Sequence, residues 1–107
     1  MNNFKRFREL HDESQQDVAD FLGIERSTYT KYESERKAPP FQRIQLLAEH
    51  WGTSVSALMG TDEKNPTGIP DEVYNVVKSF NSLPPDGQKE ALVFLDFLKQ
   101  KYKKQKD

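Results

Sequence analysis

Residues 14–33, SQQDVADFLGIERSTYTKYE, hold the most regular pattern in the chain. Val18, Ala19 and Leu22 recur at i, i+1 and i+4, which lays one apolar stripe along a short helix. Ser14 is placed to cap that helix, and Asp17 three residues later supplies an acidic version of the capping box. Gly23 falls where the chain needs a left-handed residue to leave the helix, and Ile24 is an apolar plug between this helix and the next. From Arg26 the helical pattern resumes, with Tyr29, Tyr32 and Glu33 toward the body and Arg26, Ser27, Thr30 and Lys31 on the opposite face. That outward face is hydrogen-bonding and slightly basic. Arginine reads guanine bidentately, hydroxyls meet bases or phosphates, and lysine reaches either, so the composition suits a helix in a DNA major groove.

The run S-Q-x-x-V-A-x-x-L-G-I-x-R-S-T-Y-T-K-Y-E, followed by E-R-K-A-P, resembles the Xre/Cro type of helix-turn-helix found in phage and bacterial repressors, over about residues 3–60. The resemblance implies an all-α chain: a five-helix lambda-repressor-like DNA-binding domain at 1–60, a linker at 61–69, and a C-terminal two-helix dimerisation segment at 70–107. It implies that Arg8 pairs with Glu33 at the end of the second motif helix, although two exposed charges would read the same way in sequence. It also implies that Gln15 and the helix end it sits on contact a phosphate; the plainer reading is a solvated first-turn glutamine. Base and near-base contacts fall to Arg26, Ser27, Thr28, Thr30 and Lys31, and Arg36 and Lys37 read as backbone contacts or as a solvated charge run. The sequence departs from the family's pattern twice. Asp12 and Glu13 stand where a glycine and an apolar residue are usual, and Ser34 and Glu35 where a later glycine is usual.

Around the motif, Phe4, Phe7 and Leu10 line an opening helix over 3–11 that should pack across it. Pro39 and Pro40 open a helix to His50 or Trp51 in which Phe41, Ile44, Leu47, Ala48 and Trp51 keep helical spacing. Trp51 lies in that apolar register, which makes it packing rather than a base-stacking platform. Thr53 or Ser54 caps a short fifth helix holding Val55, Leu58 and Met59. Residues 61–69 read as a polar linker. Beyond it, Val73, Val76, Val77 and Phe80 form an i, i+3, i+4, i+7 stripe on a helix entered at Pro70. A last helix over 86–103 carries Leu92, Phe94, Leu95, Phe97, Leu98 and Tyr102 among other apolar residues around much of its circumference. One neighbouring helix cannot cover that surface. The alternatives are a two-fold dimer through residues 70–103 or a fold-back of both helices onto the first domain, and the apolar excess favours the dimer. The basic run at 99–106 reads as a solvated end that complements the helix dipole, and only weakly as a DNA-touching tail.

Bulk properties bound the function. With 107 residues, 35% of them hydrophobic, and a mean hydropathy of -0.89, the core must be small, and oligomerisation is a natural source of further burial. The formal net charge of -1 excludes a generic polyanion binder, so any basic face is local: Arg26, Lys31, Arg36, Lys37 and Arg43 stand against Glu33 and Glu35. No cysteine is present, which removes disulfides and thiolate metal sites. His11 and His50 have no neighbouring ligands at metal spacing, so no metal and no cofactor are expected. No run approaches the roughly 18 apolar residues that span a bilayer, and MNNFKRFREL lacks a signal-peptide core, so a cytoplasmic protein without membrane partners is expected. An enzyme is the weakest reading, since no phosphate loop or acid-base cluster is found and no catalytic residue can be named. The leading expectation is a transcriptional repressor that binds a palindromic double-stranded operator as a homodimer. The alternative is an antitoxin or antagonist-controlled repressor whose C-terminal helices bind a foreign protein.

Overall fold

The computed structural model describes residues 1–103 and is all-helical there. Residues 104–107, which include the end of the basic run at 99–106, lie outside the described residues. The helices are α1 (Phe4–Leu10), α2 (Gln15–Leu22), α3 (Arg26–Glu33), α4 (Phe41–His50), α5 (Val55–Met59), α6 (Asp71–Ser82) and α7 (Pro85–Tyr102).

Local chemistry sets the ends of these helices. The Ser14 hydroxyl accepts the Asp17 amide at 3.0 Å and the Asp17 carboxylate accepts the Ser14 amide at 2.9 Å, a complete capping box on α2. The Ser14 amide first, and the neighbouring Ser14 hydroxyl second, hold the Asp17 carboxyl below its ordinary range. At the other end Gly23 sits at φ 69°, and the Gly23 and Ile24 amides close onto Asp20 and Ala19. Ser54 caps α5 on the Ala57 amide, and Pro85 occupies the first turn of α7.

The first five helices enclose one core. Phe4, Val18, Tyr29, Tyr32, Leu47 and Leu58 are fully buried, and the apolar Phe4, Val18, Leu47 and Leu58 each contribute roughly 1.5–3 kcal/mol by removal of their surface from water. Trp51 packs against both Phe4 and Phe7, with ring centroids 6.4 and 6.3 Å away.

Residues 61–69 are not the free polar spacer that their composition suggests. Ile69 is only 8% exposed and joins the core of the first five helices. The Asn3 side-chain amide donates to the Ala57 and Pro66 carbonyls at 2.8 and 3.0 Å, and Arg6 donates to the Ile69 carbonyl at 3.2 Å. Gly68 permits the crossing: at φ 76°, a Cβ there would lie 2.7 Å from the Phe7 ring.

The strap delivers α6 onto α1 by its polar edge. The Tyr74 hydroxyl and the Lys78 ammonium both donate to the Glu9 carboxylate at 3.0 Å, Arg6 pairs with Asp71, and the Arg6 guanidinium lies 4.1 Å above the Tyr74 ring. Burial opposes the charge on Glu9, but hydrogen bonds from Lys78 and Tyr74 outweigh it and keep the carboxyl below its ordinary range. Val73 and Val76 remain exposed, and Val77 and Phe80 are half-buried. On α7, Leu92, Phe94, Leu95, Phe97 and Tyr102 are exposed and Leu98 is half-buried. The last helix therefore does not fold back into the first core, and no residue of α6 or α7 is buried.

Candidate nucleic-acid interface

The surface is built on α3, whose inner face is pinned by Tyr29 and Tyr32 at zero exposure. The Tyr29 hydroxyl is buried with no hydrogen-bond partner; burial and the Glu33 charge push that phenol up, so it stays neutral. Arg43 on α4 donates to the Tyr32 hydroxyl. That contact ties α4 to α3 and takes Arg43 out of the set of outward cations.

Below the outward face lies one connected network. Arg8 grips Glu33 with both arms of its guanidinium, Nε to Oε2 at 3.0 Å and Nη2 to Oε1 at 2.8 Å, while Nη1 donates to the Glu13 carbonyl at 2.8 Å. The two side chains are only 12% and 7% exposed. Burial penalises the Glu33 charge, yet hydrogen bonds from Arg8 overcome it and lower the carboxyl; the same bond, against burial, raises Arg8. Gln15 extends the network outward, its amide donating to Glu33 Oε1 at 3.3 Å, and the Thr30 hydroxyl reaches Gln15 Oε1 at 3.1 Å. That hydroxyl also lies 2.9 Å from the Arg26 carbonyl, and its single proton serves one acceptor at a time. The network fixes the amino end of α2 against the middle of α3.

Outside this lattice Arg26, Ser27, Thr30 and Lys31 are exposed, and Thr28 is half-buried at the helix edge. Arg36 and Lys37 are exposed on the following loop, where both amides return to the Lys31 carbonyl, at 2.9 and 3.3 Å, and close the end of α3. With Glu33 paired inside and Arg43 engaged by Tyr32, the outward charges are Arg26, Lys31, Arg36 and Lys37 against Glu35. One cation and one acid leave the outward set together, so the face keeps the positive balance that the residue count gives. Among the described residues no cluster of His, Cys, Asp or Glu could hold a metal ion, and no helix is long and apolar enough to cross a membrane.

The two departures from the family's pattern have a common outcome. Asp12 at φ 55° and Glu35 at φ 65° are the non-glycine residues with positive φ among those described. The left-handed turns persist, made by residues that tolerate them less well. Glu35 gains from its carboxylate, which accepts the Asn2 amide at 2.9 Å. Glu13 acquires a role that sequence reasoning missed: its carboxylate accepts the Trp51 indole N–H at 2.7 Å and bonds the His50 ring at 2.8 Å. It thus latches the α1–α2 turn to the end of α4. No local pattern announces a contact across 38 residues; the one available signal was an acid at a position where an apolar anchor is usual.

Comparison with known proteins agrees with this geometry. A family model described as Helix-turn-helix matches residues 4–58. The HTH-type transcriptional regulator YobD of Bacillus subtilis is 33% identical over 63 residues, 58% of this chain and 56% of YobD, so the match spans little more than half of that relative. The cryptic phage CTXphi transcriptional repressor RstR of Vibrio cholerae is 26% identical over 94 residues, covering 88% of this chain and 81% of RstR. The SPbeta prophage-derived HTH-type transcriptional regulator YonR of Bacillus subtilis is 32% identical over 95 residues, 84% of this chain and 85% of YonR. No solved structure matches.

Proposed function

Because the chain belongs to the Xre type of helix-turn-helix transcriptional regulator, we propose that it is a cytoplasmic repressor that binds a palindromic operator as a homodimer. The observation behind this reading is the Arg8–Glu33–Gln15–Thr30 lattice, which sets α3 rigidly against the amino end of α2 and leaves a basic, hydroxyl-rich face outward. Arg26, Ser27, Thr28, Thr30 and Lys31 read bases or their near surroundings, and Gln15, Arg36 and Lys37 fix register on phosphates. Few phosphates are neutralised per subunit, so a single half-site binds weakly and two must act together. Residues 1–69 form the DNA-binding unit and the exposed apolar faces of α6 and α7 form the dimer unit, with Val93, Val76, Phe94 and Phe97 as the most accessible members. Repression follows from occupying DNA that polymerase needs.

The test is selection of duplexes from a randomised pool by the full chain, followed by anisotropy titrations of variants. Arg26→Ala is expected to relax the preference at one base pair, at a cost of about 1–3 kcal/mol, while Arg36→Ala weakens all duplexes alike and lowers the salt slope by about 1. A pool that yields no consensus would overturn the reading.

A further inference from the structure

We infer that α7 pairs with α7 of a second copy in antiparallel orientation, Glu90 of each copy against Lys101 of the other, with Phe94 and Phe97 around the two-fold axis. This rests on the homodimer reading above and adds its geometry. Positions 86, 90, 93, 97 and 101 are separated by steps of four, three, four and four, which keeps them on one side of a helix. Along that side the chemistry changes in order: Asp86 and Glu90 at the amino end, Val93, Phe94 and Phe97 in the middle, Lys101 near the carboxyl end. All of these side chains are exposed. Phe94 and Phe97 stack on each other with centroids 6.4 Å apart, while both remain more than half exposed, at 60% and 58%. Beside them lies a shallow apolar depression bordered by Lys89, Glu90, Val93, Phe94 and Phe97, of a kind that receives an aromatic ring.

Such a face complements itself in only one direction. In a parallel pair Glu90 meets Glu90 and Lys101 meets Lys101, and both contacts repel beside a desolvated apolar centre. Turned end for end, the register that sets 90 against 101 also sets 94 against 97, so opposite charges flank four interleaved rings. The helix dipoles favour the same orientation.

The chain has no cysteine, so single cysteines report the orientation directly. Full-length Glu90→Cys and Lys101→Cys variants are oxidised separately and after co-expression, alongside sedimentation equilibrium of the unmodified chain. The expected result is a disulfide-linked dimer in the mixture and none in either variant alone. Self-linkage of each variant overturns the proposal in favour of a parallel pair. A chain that sediments as a dimer but links in no combination overturns it in favour of another face of α7 or α6. A chain that sediments as a monomer overturns it too, through the separate failure of the homodimer reading.

Discussion

The first five helices and the last two use their apolar residues differently. In α1–α5 the aromatic and aliphatic residues that share a helical face also share a core, and Tyr29, Tyr32, Leu47 and Leu58 see no solvent. In α7 a run richer in apolar residues than α3 buries none of them. Periodicity specifies that a face must be covered, and it does not specify by what. For the first body the cover lies within the chain. For α7 the cover is proposed to be a second copy, while the polar seam of Glu9, Tyr74 and Lys78 holds α6 on the first body.

The contrast can be broken hardest at the buried ion pair. Arg8→Ala leaves Glu33 inside the first body without its counter-charge and should cost about 3–5 kcal/mol in urea unfolding. A loss below about 1 kcal/mol, the range of exposed pairs, would mean that Glu33 escapes to water and that the lattice beneath α3 is not rigid. Next in size is a matched pair of truncations. Leu47→Ala should cost about 2–5 kcal/mol at every protein concentration. Phe97→Ala should leave the stability of α1–α5 within about 0.5 kcal/mol and shift only the concentration-dependent part of thermal melts. Equal, concentration-independent losses in both would erase the distinction between the two regions.

The same ion pair makes a pH prediction. Glu33 has its folded-state carboxyl lowered from an ordinary value of 4.5, so the stability it contributes is complete above that value and is lost as pH falls through the lower folded one. Urea midpoints measured downward from pH 6 should fall in this window, and Arg8→Ala should flatten the fall. Smaller effects are expected at the strained turn. Glu35→Gly relieves a left-handed residue worth roughly 1–2 kcal/mol, partly offset by the added freedom of an unfolded glycine, for a net gain of up to about 1 kcal/mol. A net loss would show that the Asn2 contact outweighs the strain. Least of all, Glu9→Gln at the α1–α6 seam should cost under about 1 kcal/mol, and less again at high salt.

Much of this architecture is legible in the residues because it is local. Ser14, Gly23, Ser54 and Gly60 mark helix ends through bonds that reach three to five positions, and the α2–α3 pair follows from its apolar spacing. What escapes reading is long-range. Ile69 looks like the last residue of a polar spacer and proves to be core, because Gly68 lets the strap lie against Phe7. Glu13 looks like a surface acid and proves to latch Trp51. Asp12 and Glu35 look incompatible with turns that favour glycine, and the chain makes those turns regardless. Tyr74, unremarked in its helix, anchors α6 through a hydroxyl that meets Glu9 across 65 residues. Within the site, the outward face of α3 could be read from side-chain type alone. The lattice beneath it needed the fold.

Sedimentation equilibrium of the full chain, alone and with a selected two-half-site duplex, tests the central claim most directly. A dimer in free solution at tens of micromolar, with two chains on each duplex and much weaker binding to a single half-site, is the result expected. A monomer over that range that binds one half-site as tightly as two would contradict it, and the exposed face of α7 would then need another explanation.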